Sequence, residues 1–169
     1  FIVDFEGFKN QIGGFFPPRK VFIDINFLNT LSKADLQSGF GEMSHYFIIS
    51  GEEDFIKYKY DYEAQKSNKM ILKNMILGSL SIKKQYIEID EFDRKERQIF
   101  NYGHSFGHAI ESLTSYRVPH GIAVSFGMDI ANFISVKKNI LSDIVRNEIR
   151  ELLTQIWHGY NIKNLDVNQ

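Results

Sequence analysis

Apolar positions after residue 30 recur mainly at intervals of three and four residues, the spacing of one face of an α-helix. In the third such segment this interval connects Met70, Ile71, Met75, Ile76 and Leu80. The pattern predicts helices over residues 33–49, 52–64, 69–89, 94–115, 121–138 and 143–157. It therefore predicts a mostly α fold, a helical bundle.

Local signals mark the start of the bundle. Ser32 followed three residues later by Asp35 matches a capping box, so the first helix is expected to begin near Lys33. Residues 1–20 are rich in Gly and Phe and contain two adjacent prolines, which is typical of a connection. Residues 20–24 alternate between polar and apolar and predict a short strand or extended segment.

A line of polar side chains follows one face of the predicted helix at 94–115. Projected at about 100° per residue, the line contains Arg97, Asn101, His104, His108 and Glu111. The other faces are apolar, so this helix is expected to be buried nearly all round. Buried polar groups are costly unless they share a partner, and the line therefore predicts a ligand cavity or a metal site.

Two further residues complete a candidate metal site. The chain has no cysteine, so imidazole, carboxylate or carbonyl groups must supply the ligands. His120 follows the polar line after a short loop that can fold back towards His104. Glu42 lies mid-helix between glycines and can supply the carboxylate, and a Glu with two His and an open position is a known catalytic pattern. His45, one turn after Glu42, is expected to face the same space.

Composition narrows the class of partner. The 20 basic and 21 acidic residues nearly cancel, which argues against nucleic acid or an anionic membrane surface as the partner. No apolar stretch approaches the length of a membrane span, and no signal-peptide pattern opens the chain. We expect a cytoplasmic protein that acts on a small molecule.

The motifs that carry the chemistry resemble those of a known family. They are Asn101-x-Gly-His-x-Phe-Gly-His-Ala-Ile-Glu111, then His120-Gly121, with Gly39-x-x-Glu42 and Lys9-Asn10-x-Ile-Gly13 upstream. Together they resemble the 3-dehydroquinate synthases and related sugar-phosphate cyclases. The resemblance covers about residues 7 to 135.

The resemblance implies a two-domain α/β plus α enzyme that uses NAD and a divalent metal, zinc or cobalt. Residues 1–20 would be the junction with a missing N-terminal NAD-binding domain, and residues 21–169 the C-terminal helical metal- and substrate-binding domain. It implies cyclisation of a sugar phosphate with phosphate elimination, from 3-deoxy-arabino-heptulosonate 7-phosphate, and commonly a homodimer. These 169 residues alone are expected to be inactive.

By the same resemblance, roles pass to individual residues. Glu42, His104 and His120 match the metal ligands, and His108 matches the histidine of proton transfer. Contacts to the substrate would come from Asn10, His45, Lys83, Arg97 and Asn101. Contacts to NAD would come from Lys9, Phe27, Leu28, Asn29 and Thr30.

The sequence also departs from the family pattern, and two alternatives remain. His45 stands where the synthases usually have Lys, and a partly neutral imidazole holds an anion less well than an ammonium group does. One alternative is an oxidoreductase like the iron-containing alcohol dehydrogenases, although these use Asp where this chain has Glu42. The other is a non-catalytic metal-binding helical module.

Overall fold

The computed structural model describes residues 2–5, 8–14, 19–163 and 165, with the backbone only for residues 2–5 and 8–10. The strands are β1 (Ile2–Phe5) and β2 (Phe8–Gly13). The α-helices are α1 (Lys33–Ser50), α2 (Glu52–Ala64), α3 (Lys69–Ile89), α4 (His104–Leu113), α5 (His120–Lys137) and α6 (Asp143–Ile156). Two 3-10 helices cover Ile25–Thr30 and Glu96–Asn101. The predicted mostly α fold is confirmed.

The start of the chain differs from the prediction. β1 and β2 pair as an antiparallel hairpin, with Ile2 opposite Gly13 and Val3 opposite Ile12. The prediction of an irregular connection is wrong here, because it gave weight to Gly and Pro and too little to the strand-forming Ile, Val and Phe residues. Residues 20–24 form no strand with any described residue, since alternation alone does not supply a neighbouring strand to pair with.

The predicted helix at 94–115 is broken in two. A 3-10 helix ends at Asn101, and α4 begins at His104 after Gly103, whose φ of +79° lies in the left-handed region. Gly103 packs against α5 so closely that a Cβ would lie 2.5 Å from the Met128 Cγ. The expectation of a single polar line is therefore wrong for Arg97 and Asn101, which precede the break.

The expected burial of this segment is also wrong. Ile99 and Phe106 remain 40% and 38% exposed, and only one face of α4 is buried. That face holds Gly107, Ile110 and Glu111 and packs on α5. Apolar side chains on the other faces misled the prediction, because an exposed apolar residue is common at a protein surface.

Helix α5 is the centre of the bundle. Every residue from Gly121 to Met128 is buried, and α1, α4 and α6 pack around it. Helices α2 and α3 pack on α1 and extend the same core through Phe40, Tyr58 and Met75. Among the described helices, none is both long and apolar enough for a bilayer span.

Candidate metal centre

Three helices bring Glu42, His104 and His120 to one point. Glu42 lies in the middle of α1, while His104 and His120 are the first residues of α4 and α5. The Glu42 Oε2 is 3.6 Å from the His104 Nε2 and 3.5 Å from the His120 Nε2. One potential ligand atom from each residue lies within 4.8 Å of the other two. This set has the spacing and the donor atoms of a three-ligand metal site.

A contact between two glycines places the ligands of α1 and α5. The Gly121 N–H donates a hydrogen bond to the Ser38 Oγ at 2.9 Å. A Cβ on Gly41 would lie 2.1 Å from the Gly121 carbonyl oxygen, closer than any side chain allows. The two helix backbones therefore touch beside Glu42 and His120.

The carboxylate of Glu42 is poorly satisfied by hydrogen bonds. Its Oε1 accepts a long hydrogen bond, 3.5 Å, from the Tyr46 hydroxyl, whereas the buried Oε2 has no hydrogen-bond partner among the described residues. Burial would raise the pKa of Glu42, but the neighbouring imidazoles of His104 and His120 lower it well below its ordinary value. An ionised, unpaired oxygen between two imidazoles fits a divalent cation.

The two imidazoles are oriented through their second nitrogens. The His104 Nδ1 lies 3.3 Å from the Tyr102 carbonyl oxygen, and the His120 Nδ1 lies 3.1 Å from the Glu111 Oε2. Both acceptors pair with a proton on Nδ1, so a ring in its neutral form would turn its Nε2 lone pair towards Glu42, as a metal ligand must. The pKa of His120 is raised by Glu42 in the first place, against burial, and then by Glu111.

A third imidazole borders the same space. The exposed ring of His108 lies 5.7 Å from the His104 ring and 5.6 Å from the His120 ring, measured between centroids. It is close enough to reach a molecule held at the centre, and its exposure lets it exchange a proton with solvent. His108, Glu111 and His120 also form a second group with metal-ligand spacing, which shares His120 with the first.

His45 lies on the inner side of the site. Its side chain is 1% exposed, and its ring is 5.1 Å from the His104 ring. The Nδ1 is 3.3 Å from the Glu42 carbonyl oxygen, while the buried Nε2 has no hydrogen-bond partner in the described part of the chain. Burial lowers the pKa of His45 to about 4, although Glu42 opposes this. His45 is therefore neutral at pH 7.

The expected anion contacts lie at different distances from the centre. The exposed Lys83 Nζ is 5.8 Å from the centre of the Tyr46 ring, whose hydroxyl reaches Glu42. Arg97 donates from Nη1 to the Glu91 carbonyl oxygen at 2.6 Å, which directs its head group to a loop. Asn101 is exposed at the end of its 3-10 helix.

The expected NAD contacts lie on another part of the surface. Phe27, Leu28, Asn29 and Thr30 belong to the first 3-10 helix. A groove of about 370 Å³ lies between this helix and α1 to α3, and its lining includes Leu28, Asn29, Leu36 and Leu72. The Asn29 side chain accepts a hydrogen bond from the Lys69 Nζ. The side chains of Lys9 and Asn10 lie outside the described residues.

Two features of the site were missed by sequence reasoning. Glu111 was recognised only as a member of the polar line, and no spacing indicated that it faces His120 across the α4 to α5 connection. The Gly41 to Gly121 contact was also missed, although a glycine next to each candidate ligand was a usable signal.

Comparison with known proteins identifies the family of this chain. The family described as 3-dehydroquinate synthase C-terminal matches residues 39–169. The chain belongs to this family. The resemblance read from the His motifs is thereby confirmed.

Individual relatives define how much of the protein the chain represents. The 3-dehydroquinate synthase of Ruminiclostridium cellulolyticum is 34% identical over 169 residues, which cover 99% of this chain and 47% of the relative. The chain spans about half the length of the curated relatives it matches.

Two solved structures share the fold. A crystal structure of 2-deoxy-scyllo-inosose synthase superposes with a TM-score of 0.76 at 26% identity, covering 98% of this chain and 46% of the other. A second structure of 2-deoxy-scyllo-inosose synthase, complexed with carbaglucose-6-phosphate, NAD+ and Co2+, has a TM-score of 0.77 at 24% identity, with 98% and 45% covered. The second likeness shows the fold alone.

Proposed function

We propose that the protein containing this chain cyclises a sugar phosphate with elimination of phosphate, using NAD and a divalent metal. The substrate proposed first is that of a 3-dehydroquinate synthase, 3-deoxy-arabino-heptulosonate 7-phosphate. The observation that carries the proposal is the convergence of Glu42, His104 and His120 from three helices around an unpaired carboxylate oxygen.

A division of labour between two halves of the protein is supported by the length of the relatives, of which this chain covers about half. We assign residues 1–20 to the junction with an NAD-binding domain and residues 21–169 to the metal- and substrate-binding domain. Bound NAD would accept a hydride from a secondary alcohol of the substrate and later return it. No net NADH is then produced.

Glu42, His104 and His120 would hold the metal ion. A bound Zn2+ or Co2+ would act as a Lewis acid on the oxygen of the secondary alcohol whose carbon is oxidised. Two imidazole nitrogens and one carboxylate oxygen would leave an open position, as a catalytic site requires. Zinc and cobalt suit this nitrogen and oxygen donor set.

His108 is proposed to move the proton that accompanies loss of phosphate. Its ring borders the rings of both candidate ligand histidines, which places a basic nitrogen beside any group held by the ion. Oxidation of the neighbouring carbon acidifies the substrate C–H bond, so that an imidazole nitrogen within reach is a suitable proton acceptor.

Cationic side chains outside the centre are proposed to bind the anionic groups. Lys83 lies beside Tyr46 at the edge of the site and suits a phosphate as a mobile point charge. Arg97 offers a planar fork for a carboxylate or phosphate, but it must first leave its bond to the Glu91 carbonyl. Asn101 adds a neutral donor and acceptor.

His45 favours a second candidate substrate. A neutral, buried imidazole with a free Nε2 acceptor pairs with a hydroxyl group better than with an anion. This observation favours a sugar phosphate that places a hydroxyl group against His45, such as glucose 6-phosphate, over a substrate that places a carboxylate against it.

The test measures phosphate release and NADH absorbance together in the intact protein supplied with NAD and Zn2+ or Co2+. Each of the two sugar phosphates is tested separately. We expect phosphate release from one of them without net NADH. His108→Ala should lower turnover at least about 100-fold, whereas His158→Ala, the same change at an exposed histidine after α6, should not.

Other outcomes would replace the proposal. Accumulating NADH without phosphate would identify an oxidoreductase like the iron-containing alcohol dehydrogenases. Metal binding without turnover of either sugar phosphate would identify a non-catalytic metal-binding module.

A further inference from the structure

We propose that Glu111 is a positioning residue, which holds the ring of His120 so that its Nε2 faces the metal site. The inference rests on the proposed metal centre and adds a residue to it. Glu111 would touch neither the ion nor the substrate and would act on the site through His120.

The geometry places one carboxylate on each nitrogen of the same ring. The Glu111 Oε2 is 3.1 Å from Nδ1 of His120, and the Glu42 Oε2 is 3.5 Å from Nε2. The first distance is that of a hydrogen bond, and the second is too long for a good one. The ring is therefore attached to Glu111 and directed at Glu42.

The chemistry of a neutral imidazole makes this attachment selective. Such a ring carries one N–H and one lone pair, and an ionised carboxylate can only accept. A hydrogen bond from Nδ1 to Glu111 therefore leaves the lone pair on Nε2, the nitrogen that faces Glu42 and His104. Carboxylates in this position also make the ring a better ligand.

The two candidate ligand histidines each have a hydrogen-bond acceptor beside Nδ1, but the acceptors differ in kind. His104 has the Tyr102 carbonyl oxygen 3.3 Å from its Nδ1. His120 begins α5 directly after Pro119, and its Nδ1 faces the carboxylate of Glu111 on α4 instead of a backbone carbonyl. Only 5% of the Glu111 side chain is exposed, and a carboxylate is costly to bury without such a partner.

The structure contains one competing arrangement for Glu111. Together with His108 and His120 it has the spacing of a metal site of its own. In that arrangement Glu111 and Nδ1 of His120 would both be ligands. The number of bound ions separates the two possibilities, because a positioning residue can be removed without loss of an ion.

The experiment measures Zn2+ affinity and stoichiometry in the intact protein by competition with a chromophoric chelator, and the visible absorption of the Co2+ form. The variants are Glu111→Gln and Glu111→Ala. Ser125→Ala is the control, because Ser125 is a buried polar residue of α5 that bonds to the Ile122 carbonyl. Circular dichroism of the metal-free variants checks the fold.

We expect one ion per chain in all of these proteins. Zn2+ affinity should fall about 10-fold in Glu111→Gln and up to about 100-fold in Glu111→Ala, with no change in Ser125→Ala. The Co2+ bands should shift in the Glu111 variants as the ring of His120 reorients. If Glu111→Ala does not fold, the isosteric Glu111→Gln decides.

Affinities within about twofold of wild type in the folded Glu111 variants would overturn the inference, and so would two ions in wild type with one in Glu111→Ala. Failure of the metal centre itself looks different. In that case wild type binds no Zn2+, or Glu42→Ala binds it as well as wild type does.

Discussion

Gly121 of α5 lies so close to Ser38 of α1 that a Cβ on the glycine would be 1.9 Å from the Ser38 carbonyl oxygen. His120 precedes this glycine, and Glu42 lies one helical turn beyond Ser38. The backbone contact therefore sets the separation of two candidate metal ligands.

Gly121→Ala is expected to separate α1 from α5. Because the added methyl group meets backbone atoms that cannot rotate away, we expect the free energy of unfolding to fall by about 3 kcal/mol and Zn2+ affinity to fall with it. Urea unfolding and chelator competition measure the two effects. Gly39→Ala is the matched control, because a Cβ at Gly39 meets nothing within 4 Å. It should stabilise α1 by up to about 1 kcal/mol, and equal behaviour of the two variants would contradict the role of the contact.

Zinc is expected to stabilise the wild-type protein against unfolding. At a free zinc concentration 100 times Kd, binding to the folded protein alone raises the free energy of unfolding by about 2.7 kcal/mol. Glu42→Ala removes the only carboxylate of the three-ligand set, so this variant should gain almost nothing from zinc at the same concentration. Thermal unfolding with zinc and with a chelator measures the difference. His158→Ala should retain the full gain, and an equal gain in Glu42→Ala would place the ion elsewhere.

Replacement of His45 by Phe is expected to raise the stability of the protein and to lower its activity. The change removes the buried Nε2 that has no partner among the described residues and keeps a ring in contact with Phe100. We expect the free energy of unfolding to rise by about 1 kcal/mol, because an unpaired buried polar atom is lost. Turnover should fall, with a higher KM for the sugar phosphate. A loss of stability with unchanged KM would show that the imidazole serves the fold instead.

Acid is expected to weaken the loop that carries Arg97. The Asp90 carboxylate accepts hydrogen bonds from the backbone N–H groups of Arg94, Lys95 and Arg97, which lower its pKa below the ordinary value of 3.8. Because the pKa of Asp90 is lower in the folded state, its ionised carboxylate stabilises the fold at any pH above its pKa in the unfolded chain. This stabilisation is lost as the pH falls through its pKa in the folded protein. Asp90→Asn should therefore have a lower Tm than wild type at pH 7, and the gap should narrow towards pH 2.

The control for this prediction is Asp93→Asn, the same change in the same loop without loss of those three hydrogen bonds. Its Tm at pH 7 should stay close to that of wild type. If the difference in Tm between Asp90→Asn and wild type is the same at pH 7 and at pH 2, the ionised carboxylate is excluded as the source of that difference.

The helices and the convergence of ligands were predictable because both leave periodic or spaced signals. The predicted bounds of α1, α2 and α3 agree with the structure to within a residue. The placing of His104 beside His120 follows from a short connection between two helices. The geometry of the three-residue cluster agrees with the prediction, while its metal binding remains a prediction.

The features that were not predicted depend on contacts between distant residues, which a single sequence does not display. Gly103 breaks the predicted fourth helix because α5 passes against it, and its neighbours in sequence give no sign of that. The hairpin at the start of the chain needed a pairing partner, which propensity alone does not specify. The roles proposed for Glu111 and His45 depend on their burial, and the polar line could predict only that a shared site existed.

The first and last of the three candidate ligands are separated by nearly half the chain. A single ion bound between them would tie α1 to α5 across the intervening helices, much as a cross-link closes a long loop. Detachment of any one of the three helices would open the coordination sphere and release the ion. Metal retention would then report whether the bundle is assembled, and the kinetics of ion loss would follow the weakest helix contact.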